Sequence, residues 1–210
     1  MFSTRRRTLL RAGASLLAIF LLAAFVSNTC SAAIIITAPT VNLPYSATAQ
    51  SGSFEVYVHS TETSPPKVGA DNVELQLPTV PGVTFTVPAN ATPTSHPYLF
   101  HPQTPASAIL NSGRIVEGTD FAPSSSSLPT LADGSGLLLI DYHVAAGAFG
   151  SFPLTFISYS PPTFPVGTAL FDGSNNPLAA TLQNGSINIT APVPEPAAWT
   201  LALMAMLIGG

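Results

Sequence analysis

Hydrophobic and polar residues alternate with a period of two along much of the chain between residues 33 and 190. Successive side chains of a β-strand point to opposite faces, so this alternation predicts strands with one buried face and one exposed face. The clearest examples are residues 54–59, 73–77, 83–87, 152–159 and 187–190. No segment of this region has apolar residues at helical spacing. Pro or Gly interrupts nearly every segment longer than eight residues.

Residues 137–144 (LLLIDYHV) instead begin as a continuous apolar run, which is typical of a strand buried on both faces or of a sandwich core. Further short strands are expected at 34–37, 114–117, 166–171 and 178–182. About nine or ten strands, mostly separated by turn residues, predict an all-β fold with a single antiparallel β-sandwich. The connections 88–111 and 122–130 are rich in Pro, Ser, Thr and Ala and are expected to be long loops.

The first 32 residues predict a signal peptide with a signal helix. Four arginines lie in the first eleven positions, residues 16–26 are apolar, and small residues follow, so cleavage is expected after Ala32. The apolar run is too short to span a hydrocarbon layer of ~30 Å permanently. The general secretory route fits this run best. The Arg6-Arg7 pair leaves the twin-arginine route open, and Cys30 leaves lipidation open.

The other end of the chain carries Val193-Pro194-Glu195-Pro196, followed by Trp199 within an apolar stretch that extends to Ile208. This arrangement resembles the PEP-CTERM sorting signal of exported bacterial proteins, which has a Pro-Glu-Pro motif, a hydrophobic helix and an arginine-rich tail. The resemblance implies membrane retention through an apolar C-terminal helix, then recognition and cleavage by an exosortase-type enzyme.

Physical chemistry supports the same interpretation of residues 191–210. Proline fixes φ and lacks an N–H, so the prolines favour an extended segment that leaves Glu195 accessible. Trp199 lies where an aromatic membrane-interface anchor is expected. The stretch 197–208 is shorter than the ~20 residues of a spanning helix and no basic cluster follows it, so the segment is expected to be truncated or degenerate.

Between the two ends, the order of strands and turns resembles a cohesin-like or carbohydrate-binding-module-like sandwich. The segments that carry the resemblance are a Gly52-containing turn before a strand, the strand at 72–77, the turn at 133–136, the strand opening at Gly150, and the Asn184-Gly185 turn before the last strand. The resemblance covers about residues 34–190. The same order of strands and turns is also similar to that of jelly-roll sandwiches. It implies a module that binds a dockerin-type protein or a glycan without catalysis.

Composition narrows the function further. Between residues 33 and 190 there are two basic and nine acidic side chains, which excludes a basic nucleic-acid surface. The single cysteine excludes a disulfide framework and a cysteine-based zinc site.

The sequence predicts no catalytic residue, cofactor or metal site. No G-x-S-x-G motif is present, and Glu117 and Asp120 are interpreted as solvated turn residues rather than a glycosidase pair. Asp141 and His143 would share one strand face, but no third metal ligand follows at a recognisable spacing. The loop beginning at Asp172 fails as an EF-hand, because Pro177 occupies the position that needs glycine and Gln183 the position that needs a bidentate glutamate. A weak calcium site of another kind stays open.

Aromatic residues provide the candidate ligand-binding positions. Tyr57 shares an outward face with Glu55 and His59, and Tyr98 lies in the long loop. Their rings are candidates for stacking on sugars, and packing at sheet edges or in the core is the alternative.

These features predict an exported, non-enzymatic protein of the cell envelope or extracellular matrix, anchored to the membrane or released at the cell surface. Exopolysaccharide association or adhesion is the expected role. A cohesin-like module for a dockerin-type protein or a glycan is the alternative.

Overall fold

The computed structural model describes residues 34–101, 106–160 and 167–191, all within one compact unit. The predicted signal peptide and residues 193–199, which hold the sorting motif and Trp199, lie outside this part. Twelve strands are present in the described residues, and these residues contain no helix long and apolar enough to cross a membrane. The strands are β1 (Ile34–Thr37), β2 (Thr40–Leu43), β3 (Gln50–Ser60), β4 (Ala70–Gln76), β5 (Val83–Thr86), β6 (Ser107–Asn111), β7 (Ile115–Phe121), β8 (Gly136–Val144), β9 (Gly150–Phe156), β10 (Ala169–Phe171), β11 (Thr181–Gln183) and β12 (Gly185–Ile189).

The strands form two sheets. Sheet A has the order β11-β1-β3-β8-β5, and sheet B has the order β2-β12-β9-β4-β7-β6 with β10 also paired to β4. Neighbouring strands are antiparallel except for two parallel pairs, β1 with β11 and β2 with β12. The predicted β-sandwich is therefore confirmed, with more strands than expected and with two parallel pairs.

Alternating side chains from both sheets fill the space between them. Each inward side chain removed from water stabilises the fold by roughly 1.5–3 kcal/mol. The residues with no exposed surface include Ile36, Val56, Val58 and Ile140 from sheet A, and Leu75, Val116, Leu154 and Ile187 from sheet B. In β8 the burial alternates from Leu138 onward, so the continuous apolar run is a strand with one half-buried outer face.

Strands β2 and β6 were not expected from the sequence. Both are short edge strands, and β6 lies at the end of the connection that was expected to be an open loop. β2 alternates but has only four residues, and in β6 the apolar side chains of Ile109 and Leu110 are exposed, so neither strand has a recognisable pattern.

The connection between β5 and β6 is ordered along residues 88–101, which continue beside β8 where β5 ends. Leu139 N–H donates to Ala91 O at 2.8 Å, Gly136 N–H donates to Pro97 O at 2.8 Å, and Leu99 N–H donates to Gly136 O at 3.0 Å. Ala91, Leu99 and Phe100 are buried. Residues 88–101, called the covering loop below, are therefore part of the packed structure.

Candidate binding face

Half of the outer face of sheet A is left open by the residues that the structure describes. The strand register aligns Ser51, His143 and Thr84 in one row across β3, β8 and β5, and Ser53, Asp141 and Thr86 in the next row. We call these six residues the open face. The serines and threonines are exposed, whereas Asp141 and His143 at the centre are half-buried. The prediction that Asp141 and His143 share a strand face is confirmed by the alternating burial of β8.

The covering loop crosses the next two rows of the same face. In these rows Glu55 is paired with Leu139 and Tyr57 with Gly136. A Cβ at Gly136 would lie 2.6 Å from Pro93 Cβ and 3.0 Å from His96 Cβ. Glycine at this position therefore lets the loop pass directly over β8 and reach β3.

Glu55 holds the covering loop at the point where the loop reaches β3. Its Oε1 accepts hydrogen bonds from the backbone N–H groups of Thr94 at 2.6 Å and Ser95 at 2.7 Å. Its Oε2 accepts one from the His96 backbone N–H at 3.0 Å and lies 2.9 Å from His96 Nδ1. We call this arrangement the Glu55 clamp.

The clamp explains the electrostatics of Glu55. Burial by itself would raise the pKa of this carboxyl. The hydrogen bonds from Ser95, Thr94 and His96 stabilise the ionised form more strongly and lower the pKa to about 2. The side chain is only 6% exposed, so these bonds lie in a partly desolvated environment where charge-assisted hydrogen bonds are strong.

Tyr57 is half-buried and stacks on the imidazole of His96, with ring centroids 4.4 Å apart and planes 6° apart. A groove of about 290 Å³ opens beside the pair. Its walls combine apolar and polar side chains, namely Pro39, Val41, Phe54 and Leu139 with Ser53, Glu55, Thr94, Ser95 and His96.

The other candidate tyrosine is placed differently. Tyr98 is 7% exposed and packs edge-on against Phe100, with ring centroids 6.1 Å apart. Its ring contributes to the core and is not displayed beside Tyr57, although both lie near Gly136. The pairing of Glu55 with His96 was missed at the sequence level, because no periodic pattern connects residues 41 positions apart.

A pair of acidic residues lies inside the sandwich. Asp71 and Asp120 are opposite each other on β4 and β7, and the Asp120 N–H donates to Asp71 Oδ1 at 3.0 Å. Burial raises the pKa of Asp71 well above its usual value, and the charge of Asp120 raises it further. Burial also raises the pKa of Asp120 to about 6. The interpretation of Glu117 and Asp120 as solvated turn residues is therefore wrong: both lie in β7, where Glu117 is half-buried and Asp120 is buried.

The loop at Asp172 closes on itself. The Asp172 carboxylate accepts hydrogen bonds from the backbone N–H groups of Ser174 at 2.8 Å and Asn176 at 2.9 Å, and from the Asn176 amide at 3.0 Å. The carboxylate oxygens of Asp172 therefore accept hydrogen bonds from N–H groups of the same loop. In the part of the chain that the structure describes, no group of three His, Cys, Asp or Glu side chains is arranged to hold a metal ion.

Comparison with known proteins gives a consistent picture of the fold. No protein-family model matches the sequence, and no curated protein matches it. Solved structures do match. A type I cohesin–dockerin complex from Clostridium thermocellum has a TM-score of 0.54 and 13% identity, covering 75% of this chain and 99% of the other. The fold is cohesin-like.

Two further structures have the same cohesin-like fold. The solution structure of a Clostridium acetobutylicum cohesin has a TM-score of 0.55 at 17% identity, covering 77% of this chain and 94% of the other. The third ScaC cohesin of Acetivibrio cellulolyticus, in complex with a ScaB dockerin, has a TM-score of 0.54 at 15% identity, covering 75% and 99%. The predicted resemblance of residues 34–190 to a cohesin-like sandwich is confirmed at the level of the fold.

Proposed function

We propose that residues 34–191 form a non-catalytic protein-binding module that docks a dockerin-type helical partner on the open face of sheet A. The observation that carries this proposal is the cohesin-like fold together with a half-sheet of small polar residues that none of the described residues covers. Two of the solved structures with this fold contain a dockerin bound to a cohesin.

The open face has the properties that docking of a helix pair requires. Serine and threonine side chains are short, so a helix backbone can approach the sheet closely and bury both surfaces. Asp141 and His143 at the centre supply directional hydrogen bonds within an area that becomes desolvated. Because the body is acidic, the partner is expected to carry basic residues at the rim of the contact.

The covering loop sets one boundary of this face. The Glu55 clamp holds the loop over β3, and the groove beside Tyr57 and His96 provides a concave site next to the flat one. A side chain that projects from the partner would fit this groove. There it would contact the ring of Tyr57, which is the proposed ligand-binding role of this residue.

Docking is tested by adding bulk to the open face. The tagged full chain, purified in mild nonionic detergent, is titrated by calorimetry against purified type I dockerins. Thr84→Arg should weaken binding at least tenfold, because an arginine there blocks close approach. Thr155→Arg, on an exposed position of sheet B, is the matched control and should bind normally. Absence of binding to every dockerin, or equal loss in both variants, would contradict the proposal.

We also propose that the chain is exported and sorted at Pro194-Glu195-Pro196, with residence at the membrane or cell surface. Support comes from the sequence alone, through the basic and apolar N-terminus and the Pro-Glu-Pro motif before an apolar stretch. Glu195→Ala should stop processing of a tagged chain in a strain that contains an exosortase. Glu62→Ala is the control, and unchanged processing of the Glu195 variant would remove the motif from the proposal.

A further inference from the structure

Sheet B carries a hydrogen-bonded row of polar side chains across three neighbouring strands. The register places Asn188 of β12 between Asn42 of β2 and Ser151 of β9. The Asn188 amide donates to Asn42 Oδ1 at 3.2 Å, and the Ser151 hydroxyl donates to Asn188 Oδ1 at 2.7 Å. We call these three residues the amide row. Val41, Ile187 and Phe152 alternate with this row and pack toward the core, so the row lies on the outer face.

The amide row retains hydrogen-bonding capacity. Each side-chain amide has two N–H donors and a carbonyl with two lone pairs. The bonds within the row use one donor of Asn188 and none of the donors of Asn42. Because each side chain is held by its neighbour, a ligand would bind amides that are already oriented, which lowers the entropic cost of binding.

The strands around the row are electrically neutral. The sequences TVNL, GSINI and GSFPLTF of β2, β12 and β9 contain no charged residue. The next row on the same face is Thr40, Ser186 and Pro153. Such a surface offers no attraction to an ionic polymer, whereas amides and hydroxyls match the hydroxyl groups of a neutral sugar.

Two exposed aromatic residues lie at the end of these strands. Phe149, 60% exposed, immediately precedes β9, and Tyr45, 37% exposed, follows β2. Their loops are in contact, because Gly147 N–H donates to Ser46 O at 3.0 Å. The Tyr45 backbone N–H also donates to Thr190 Oγ1 at 3.0 Å, just beyond β12. Apolar ring faces beside polar groups suit a pyranose, which has C–H groups on its faces and hydroxyls around its edge.

We propose that the amide row, together with Tyr45 and Phe149, binds a neutral polysaccharide across β2, β12 and β9. This site is on sheet B and does not use the open face of sheet A. The module then has two separate binding surfaces, one for a protein and one for a neutral glycan, so it would tether its partner to a polysaccharide.

Affinity electrophoresis of the full chain in nonionic detergent tests the proposal. Native gels contain barley β-glucan, xyloglucan or dextran as neutral probes and alginate as the acidic probe. At least one neutral polymer should retard the chain, and alginate should not. Phe149→Ala and Asn188→Ala should each lower the apparent affinity at least fivefold. Phe121→Ala removes a phenylalanine of β7 that is 49% exposed, and it should leave binding unchanged.

The outcomes separate this site from the proposed docking face. Retardation by none of the three neutral polymers, stronger retardation by alginate, or equal binding of wild type, Phe149→Ala and Asn188→Ala would each overturn the glycan site. Thr84→Arg should bind the polysaccharide normally, since it lies on sheet A. Loss of dockerin binding in that variant with glycan binding intact would show that the two sites act independently.

Discussion

Glu55 shows how one side chain can determine the position of a whole loop. From the sequence, its alternation with Phe54 and Val56 correctly places it on the outer face of a strand. Its burial could not be predicted, because the covering loop is distant in sequence and carries no periodic signal. The contact needs three features together. The Glu55 carboxylate points outward from β3, the loop directs three consecutive backbone N–H groups toward it, and Gly136 has no side chain that would hold the loop away.

Replacing Glu55 by glutamine should destabilise the protein by about 2–3 kcal/mol at pH 7, because the charge that strengthens the hydrogen bonds is removed while the shape is kept. Urea unfolding of wild type, Glu55→Gln and the control Glu62→Gln measures this difference. The pKa of Glu55 is lowered to about 2, so its stabilising effect is complete above pH 4.5 and is lost as pH falls toward 2. A difference that stays constant down to pH 2 would exclude the ionised clamp.

Asp120 has the opposite effect on stability. Its folded-state pKa is raised to about 6, so the ionised form at pH 7.5 is unfavourable in the native protein. Asp120→Asn should raise the stability at pH 7.5 by on the order of 1–2 kcal/mol and flatten the change in stability between pH 7 and 4. Thermal unfolding checks this, with Asp141→Asn on the outer face as the control. If the Asp120→Asn variant were less stable than wild type at pH 7.5, the negative charge would be required.

Among the structural elements, the covering loop can cross β8 closely because Gly136, the residue beneath it, has no side chain. Gly136→Ala should displace Pro93 and lower the melting temperature by several degrees, because its Cβ would meet the rigid proline ring. Proteolysis should also cut residues 88–101 faster in this variant. Unchanged melting and proteolysis would mean that the loop does not press on β8.

The strands themselves illustrate where sequence patterns succeed. β5, β9 and β12 have a buried face and a more exposed face, so their alternation locates them to within a few residues. β2 is only four residues long, and the Ile109 and Leu110 side chains of β6 are exposed although apolar, so neither strand gives a clear signal. The proposed binding surfaces were only partly predictable, since the amide row is assembled from three strands that are far apart along the chain.

For the whole molecule, the carboxyls of Asp120 and Glu55 have opposite effects on folding stability as the pH changes. Protonation of Asp120 stabilises the fold as pH falls through 6, whereas protonation of Glu55 in the unfolded chain removes stability below pH 4.5. Because the Asp120 contribution keeps growing until the pH reaches the unfolded-state pKa near 4, maximum stability is expected between about pH 4 and 5. Chemical unfolding at intervals from pH 3 to 8 measures the profile, and a maximum at pH 7 or above would contradict these assignments.

The sandwich as an architecture follows from the sequence, but its strand order does not. Alternation shows which face of a strand is buried and says nothing about which strand lies beside it. The parallel pairing of β1 with β11 and of β2 with β12 joins residues about as far apart as the domain allows.

That pairing has a consequence for how the protein is made. β1 lacks its outer neighbour β11, and β2 lacks the strand β12 that joins it to sheet B, until residues 181–189 have been synthesised. Partners such as Asn42 and Asn188 are separated by 146 positions. Because closing so large a loop is slow, neither sheet can be completed early. A nascent chain would therefore stay incompletely folded until its last strand emerges. The export proposed above would then act on a chain that can still be threaded through a narrow channel.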